Sequence, residues 1–564
     1  MSTTTPQQWA AQAGAAAQAG DLPRALKLLE GARTAYPEEA GLWHFTGKLL
    51  LQNGDAADAA GYFAKAAALA PDNLGFAVDE AIALSGADRH TEALAVLARV
   101  EEAGKDQVFY CSTRGNSERY AGNAAASAYW YDRALQLDPQ RPKALHGRAS
   151  LALERGESDA VARFDRALAV DAGNAMLWMG KAQALDVAGD VAGARKIMDQ
   201  IVAQAPTFID GLFFLAQLRQ AQGEADYCSH YGTAAARVPQ DPSIPDAWAR
   251  TLAGMDHNTA AADVIAAARA RLPQVERFRL LEAIYAGAGG DDDRAELLFA
   301  GLDDPSDDRK VHEARHRIRR GEYDHAERLL AEAEEQSPDD IRAWALRGIL
   351  WRLTGDPRED WLHQQAGLHG LRPLHDAEQV LPPAIAQLHL LHDNSPLPLG
   401  QSLRGGTQTR GRLFDRGEPE MQALRKAIEA TVETYRSELP PADGTHPLLR
   451  HRAADWRIVG SWSVRLSGGG DYHTSHIHPQ GVVSSALYCQ LPDAVGSDEE
   501  QQAGWLELGR PPPDLRLDLP PIRVIQPREG HLALFPSTLY HGTRAFGEGR
   551  RMTVAFDVAL ANDR

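Results

Sequence analysis

Three histidines and one arginine carry the chemistry that can be read from this chain. His476 and His478 form a His-x-His pair in a strand-like segment, and His541 follows the run Phe535-Pro536-Ser537-Thr538-Leu539-Tyr540 some sixty residues later. Imidazole nitrogens are ligands for transition metals. Residues two apart on a strand point to one side, so His476 and His478 can face the same interior. His541 sits where a third ligand would come from. Arg551 lies ten residues beyond it, with Thr553 two further on and on the same side by the same alternation. A guanidinium pairs with a carboxylate through two parallel hydrogen bonds, which lysine cannot copy. Arg551 is therefore a candidate for holding the distal carboxylate of an organic acid, although its neighbour Arg550 could exchange roles with it. Gly468-Gly469-Gly470 gives a flexible approach to the histidine pair. His473 is read as a neighbouring or substrate-facing residue, and Asp557 as a residue that stabilises a strand end.

Strands must position these groups, and the pattern after about residue 440 is that of strands. Ile458 to Leu466 alternates around Trp462 and Val464, and Val482 to Leu491 is a β-rich run. Gly504 to Leu508, Ile522 to Ile525, His531 to Phe535 and Met552 to Leu560 are further short strands, separated by proline and glycine turns. Many short strands without intervening helices predict a sandwich or barrel such as a jelly roll, whose mouth gathers residues from distant strands. Before them, Gln401 to Thr409 reads as a loop. Pro419 to Leu439 reads as one amphipathic helix with Met421, Leu424, Ile428, Val432 and Tyr435 on one face, ended by Pro440-Pro441.

The first two thirds repeat. Prolines stand at 37, 71, 139, 206, 239, 273, 305 and 338, in steps of 34, 68, 67, 33, 34, 32 and 33 residues. One unit of about 34 residues explains all of them. Within the unit, Trp43, Gly47, Ala59, Phe63 and Ala66 precede Pro71, and Trp344 and Gly348 repeat the first spacing near the end of the array. Small residues let two helices approach, a large apolar residue fills the gap, and proline ends the second helix. Residues 6–372 resemble the tetratricopeptide repeat family, with about ten units, of which those near 74–107 and 275–305 are degenerate. The resemblance implies a superhelix whose concave groove binds a protein or peptide partner. Trp43, Trp130 and Trp178 are read as core residues rather than ligand contacts.

The order His-x-ligand, a distant His, then Arg with Ser or Thr two further on is similar to that of the 2-oxoglutarate- and iron(II)-dependent oxygenases. Tyr472 to Asp493 and Gly530 to Asp557 carry the resemblance, which extends over about residues 400–560 and is nearest to a bacterial branch that often carries N-terminal tetratricopeptide repeats. It implies that His476 and His541 are ligands to Fe(II), that Arg551 with Thr553 grips the C5 carboxylate of the cosubstrate 2-oxoglutarate, and that Tyr488 hydrogen-bonds to that cosubstrate. It also implies dioxygen as a reactant and hydroxylation of a C–H bond. One departure stands out. The family pattern is His-x-Asp or His-x-Glu, and this chain has His478 at the carboxylate position. Three neutral imidazoles can still bind iron(II), with one more positive charge at the site.

Composition sets the bounds. A chain of 564 residues is too long for one core. A formal net charge of −18 disfavours nucleic-acid and anionic-membrane binding. Arg404, Arg410, Arg412, Arg450 and Arg452 could form a local basic patch or simply be solvated. Three dispersed cysteines exclude a disulfide scaffold and fit a reducing compartment. No signal peptide is visible between Met1 and Ala16, nor any membrane span, so the expected location is cytoplasmic. The expected fold is a multidomain α + β protein: an N-terminal α-helical tetratricopeptide superhelix (1–372), a connecting segment with a helix (373–455), and a C-terminal double-stranded β-helix, or jelly roll (456–564). Three functions remain open: a hydroxylase of a protein or peptide held by the repeats, a scaffold whose barrel has lost catalysis, and a small-molecule oxygenase.

Overall fold

The computed structural model describes residues 4–393, 395, 397–493, 495 and 502–560. The first three residues of the N-terminal segment read for a leader, and 561–564 at the end of the C-terminal domain, lie outside them. The chain divides into two compact units, Met1–Lys181 and Ala182–Asp563.

The N-terminal region is built of paired helices. Ten successive pairs run from Pro6–Gln18 with Leu22–Ala35 to Asp307–Arg319 with Tyr323–Gln336. The short helix Glu101–Gly104 is inserted in the degenerate stretch, and Ile341–Thr354 closes the series. The unit's logic is visible at its glycines. A Cβ added to Gly47 would stand 2.9 Å from the Phe63 ring, and one added to Gly180 would stand 2.3 Å from the Phe164 ring. Only glycine lets the aromatic of the neighbouring helix close that gap. Trp130 is buried in this core, as read, whereas Trp43 and Trp178 each donate their indole N–H to a backbone carbonyl, of Pro37 and Ala172.

Eleven strands follow among the described residues: β1 Gly370–Pro373, β2 Leu403–Arg404, β3 Thr407–Gln408, β4 Trp456–Gly468, β5 Tyr472–His476, β6 Val483–Gln490, β7 Leu506–Leu508, β8 Arg523–Ile525, β9 His531–Pro536, β10 His541–Thr543 and β11 Glu548–Leu560. They form a six-stranded sheet ordered β1-β9-β6-β11-β4-β3 and a five-stranded sheet ordered β2-β5-β10-β7-β8. Every pairing is antiparallel. The expected strands are present, and a two-sheet arrangement is compatible with a jelly roll. Three elements differ from the sequence reading. Gly370–Pro373, which straddles the expected boundary between the repeats (1–372) and the connecting segment (373–455), is an edge strand paired with β9. The loop read at 401–409 contributes two short strands. A helix at Ala377–Asp393 was not foreseen because Pro382 and Pro383 lie inside it; its Leu381, Ala384, Leu388 and His392 are buried at helical spacing.

The six-stranded sheet explains where the functional side chains point. One face packs on the helices Ala377–Asp393 and Pro419–Glu438, in a core holding Leu487, Leu532, Leu534, Met552, Val554 and Phe556 together with Met421, Leu424, Ile428, Val432 and Tyr435. Strand side chains alternate, so the intervening residues Tyr488, Ala533 and Phe535 turn to the other face and meet Leu506, Leu508 and Ile525 of the second sheet. The same alternation sends Arg551, Thr553 and Asp557 of β11 into the space between the sheets.

The later repeat helices share a core with the strands. Val311, Ile318, Leu346 and Leu350 pack with Leu515, Tyr540 and Ile477. The five arginines weighed as a basic patch do not form one. Arg404, Arg410 and Arg450 pair with Asp256, Asp186 and Asp339, Arg412 lies 4.0 Å from Asp415, and Arg452 donates to the Ser437 carbonyl.

Candidate metal centre and its cleft

β5 and β10 are neighbours in the five-stranded sheet, and their register sets His476 directly opposite His541. Gly542 makes the approach possible: a Cβ there would stand 2.8 Å from the His473 carbonyl oxygen. His478 lies two residues beyond the end of β5, not on it, so its inward direction is set by its partners rather than by strand alternation. The turn from β4 to β5 explains the three glycines before the pair. Gly468, Gly469 and Gly470 all have positive φ, of 85°, 70° and 103°. They serve a fixed left-handed turn rather than a flexible approach.

The three imidazoles converge. One nitrogen from each of His476, His478 and His541 lies within 4.8 Å of the other two, a group that could hold a metal ion. The ring centroids are 4.3 to 5.0 Å apart. In each ring the Nδ1 atom is already engaged: by the Thr474 carbonyl at 2.8 Å, by the Leu539 carbonyl at 3.2 Å, and for His478 by the Asp557 carboxylate. Donation from Nδ1 leaves the Nε2 lone pair free to ligate. The Nε2 atoms of His476 and His478 are 3.0 Å apart, the spacing of two ligands at ~2.1 Å from one ion subtending a right angle. Two lone pairs at that distance repel unless a cation or a proton lies between them. Burial holds the His476 pKa down to about 3, with His478 adding to the effect. His541 is held well below the ordinary range, first by burial and then by His476 and His478. Neutral imidazoles are the ligating form, so the donor set fits a divalent transition metal.

Around this centre, Phe535 meets the His541 ring edge-on at 4.8 Å and Trp462 lies 5.5 Å from His478. His473 stays outside the group of three. It is held by the Ser402 hydroxyl at 3.3 Å, and the same hydroxyl lies 3.2 Å from His476 Nε2.

Arg551 is buried, whereas Arg550 is exposed, so the exchange of roles between them does not occur. The Arg551 guanidinium lies 5.4 Å from the Tyr488 ring centre. It has no carboxylate partner among the described residues, and its Nε has no hydrogen-bond partner among them, the Tyr488 hydroxyl being its polar neighbour. Thr553 pairs in register with Tyr488 on the neighbouring strand. A buried guanidinium without a counter-charge and with an open donor is costly. A carboxylate would supply that counter-charge, so the cradle fits an organic acid.

The segment before His541 is held by repeat helices. Arg315 donates to the Tyr540 hydroxyl at 2.9 Å and pairs with Asp514; His363 bonds the Thr538 hydroxyl at 3.1 Å. Sequence reasoning missed these contacts and the Asp557–His478 bond. Asp557 had a visible signal, since it stands in phase with Arg551 and Thr553. The clasp had none, because nothing in the sequence relates residue 315 to residue 540. A cleft of ≈820 Å³ opens at His476. β5 and the adjoining turn, with Thr474, Ser475 and Ile477, form one side, and Val311, Arg315 and Leu346 of the repeat helices form another.

Residues 460–557 match the family model described as "Putative 2OG-Fe(II) oxygenase", and residues 11–73 and 158–218 match tetratricopeptide repeat models. Protein FlbA of Caulobacter vibrioides is 30% identical over 152 residues, a match spanning 27% of this chain and 26% of that relative. A tetratricopeptide repeat protein from Parabacteroides merdae aligns over 43% of this chain and 97% of its own, at 16% identity and a TM-score of 0.37. Yeast Tom70 aligns over 63% of this chain and 91% of its own, at 15% identity and a TM-score of 0.35. Scores this low carry no argument of their own. No helix among the described residues is long and apolar enough to cross a membrane. The chain carries tetratricopeptide repeats, which indicate protein–protein interaction, in its N-terminal part, and its C-terminal region carries the domain that the family model describes as "Putative 2OG-Fe(II) oxygenase".

Proposed function

We propose that this chain is a 2-oxoglutarate- and Fe(II)-dependent dioxygenase that hydroxylates a protein or peptide segment in the cytoplasm. One observation carries the reading: three inward imidazole nitrogens share the interior between two sheets with a buried arginine that has no carboxylate partner. His476, His478 and His541 would hold the iron; Arg551 and Thr553 would take the distal carboxylate of 2-oxoglutarate, with Tyr488 as a hydrogen-bond donor. Iron(II) with this cosubstrate supplies oxidative chemistry that couples decarboxylation to succinate with insertion of one oxygen atom into a C–H bond.

The protein's own part is positional. The Nδ1 anchors fix the three rings before the metal arrives. Asp557 places a carboxylate one bond behind His478, so negative charge is returned next to a site that lacks a carboxylate ligand. Arg551 would pair with one of the two carboxylates of the cosubstrate and leave its 2-oxo acid end for the side of the three imidazoles. Phe535 and Trp462 would shield the sides of the centre, and the cleft lined by His476 would offer the substrate an approach.

The test is spectroscopic. Purified chain with iron(II) and 2-oxoglutarate, without oxygen, should give a weak visible charge-transfer band that Arg551→Ala abolishes. Admission of oxygen should release succinate. His478 in place of a carboxylate favours a second reading, a scaffold that binds metal without turnover. A band with no succinate under any tested substrate would support it. A third reading, a small-molecule oxygenase, gains if no protein in a lysate acquires an oxygen atom.

A further inference from the structure

A second cavity, of ≈510 Å³, lies on the flank of the two sheets. Residues 364–371, which lead into β1, and residues 523–528, which begin with β8, line it. Both strands are sheet edges: β1 pairs only with β9 and β8 only with β7. In the second sheet β8 is three strands from β5, and in the first β1 is three strands from β11. The cavity is therefore separate from His476 on β5 and from Arg551 on β11.

One residue of β8 breaks the strand's pattern. Ile525 stands opposite Leu506, and Arg523 stands opposite Leu508. Leu506, Leu508 and Ile525 all pack in the core between the sheets. Alternation sends Arg523 to that same side, where an apolar residue is expected. Because β8 is an edge, the side chain of Arg523 stays exposed, and it lines the cavity together with the exposed Arg528.

No carboxylate lines this cavity, and neither arginine has an ion pair among the described residues. Carboxylates on the flanking segments are committed elsewhere. Glu438 pairs with Arg372 at 2.9 Å, and Glu529 accepts from the Leu491 N–H at 2.7 Å. Glu359 and Asp360 accept from the Gln364 amide at 2.6 and 2.8 Å. His369, also in the lining, adds no third charge: burial, and then Arg523, hold its pKa below the ordinary range, so it is neutral at pH 7. Leu371 and Ile525 belong to the inter-sheet core and give the cavity an apolar wall. In a chain of net charge −18, two guanidiniums without an acid reverse the local sign.

We infer that this flank cavity binds a small organic oxyanion, with Arg523 and Arg528 as its counter-charges and Leu371 and Ile525 against its apolar body. A guanidinium takes a carboxylate or a phosphate through paired hydrogen bonds, so the oxyanion can be either. The apolar wall favours an organic body over free inorganic phosphate, and the volume is that of a small-molecule site. An inward charge on an edge strand also keeps a second copy from pairing there, and the experiment separates that role from binding.

The full chain is titrated by calorimetry with octanoate, octyl phosphate and octanol, which share one apolar body. Octanoate or octyl phosphate should bind at one saturable site, about tenfold or more tightly than octanol. The tighter of the two names the oxyanion. Arg523→Met and Arg528→Met, which keep the apolar stems, should each weaken the anion about tenfold and leave octanol unchanged. Arg551→Ala should leave the anion's affinity as it was. Equal binding of all three probes, the absence of a saturable site, or anion binding that survives both methionine variants overturns the inference. Loss of the site in Arg551→Ala also overturns it, since the anion would then sit in the cosubstrate cradle. Self-association of Arg523→Met with unaltered anion affinity assigns that arginine to edge protection and overturns its role here. Should Arg523→Met fold poorly, Arg528→Met, outside any strand, carries the same comparison.

Discussion

Tyr131 in the repeats and His476 in the sheets are both held by close packing, but their partners come from very different distances along the chain. A Cβ on Gly115 or Gly147 would stand 2.9 or 2.2 Å from the Tyr131 ring, and each glycine is sixteen positions away. Phe63 with Gly47 and Phe164 with Gly180 keep the same sixteen-residue offset. His476 meets His541 across 65 positions, and His541 in turn depends on Tyr540, whose hydroxyl is held by Arg315, 225 positions away. The repeats build stability from neighbours, and damage to one contact stays local. The candidate metal centre draws on residues from four distant stretches, and damage to any one should reach the others.

Substitution of a ligand gives the sharpest contrast. His541→Ala or His476→Ala should lower cobalt(II) affinity by more than the ~100-fold expected for loss of an outer partner, read by competition with a chromophoric chelator. Next comes Arg551→Ala. Removing one partner of a buried charge pair costs about 2–5 kcal/mol, so 2-oxoglutarate affinity in the metal-loaded protein should fall by between tens and thousands of fold. Arg551→Lys should not recover it, because lysine cannot form the paired bonds. Asp557→Asn should weaken cobalt(II) binding by ~10–100-fold while 2-oxoglutarate affinity changes less; an unchanged metal affinity would remove Asp557 from the centre. The smallest effect is expected in the repeats. Gly147→Ala gains ~1 kcal/mol of helix propensity but forces a methyl group into the Tyr131 ring, at ~1–3 kcal/mol for overpacking. A lower first melting transition with unaltered cobalt(II) affinity is the expected result. Loss of metal binding in this variant would contradict the locality of the repeats.

The same contrast governs what could be read in advance. The proline phase, Gly47 and Phe63 repeat in sequence what repeats in space, so the helical array was plain. Alternation named Arg551 and Thr553 as the inward residues of one strand, whereas Tyr488 was named by the family resemblance alone. Hidden from sequence were features without a period. Pro382 and Pro383 masked a helix whose buried positions were otherwise regular. His478 was expected to follow strand alternation, yet it points inward from beyond the strand, tied to Asp557. A carboxylate one bond removed from a ligand looks, in sequence, like any residue at the end of a strand.

The Arg315–Tyr540 contact has a consequence for how this chain can be divided. Cleaved after residue 372, the C-terminal piece would lose the guanidinium on Tyr540 and the imidazole on Thr538, and would expose Ile477, Leu515 and Tyr540 on a surface they now share with Val311 and Leu346. Such a fragment would carry every ligand and still lack the brace behind its third one. The later repeats are thus structural members of the C-terminal domain, and a recombination event that swapped them for another adaptor would have to bring an equivalent brace with it.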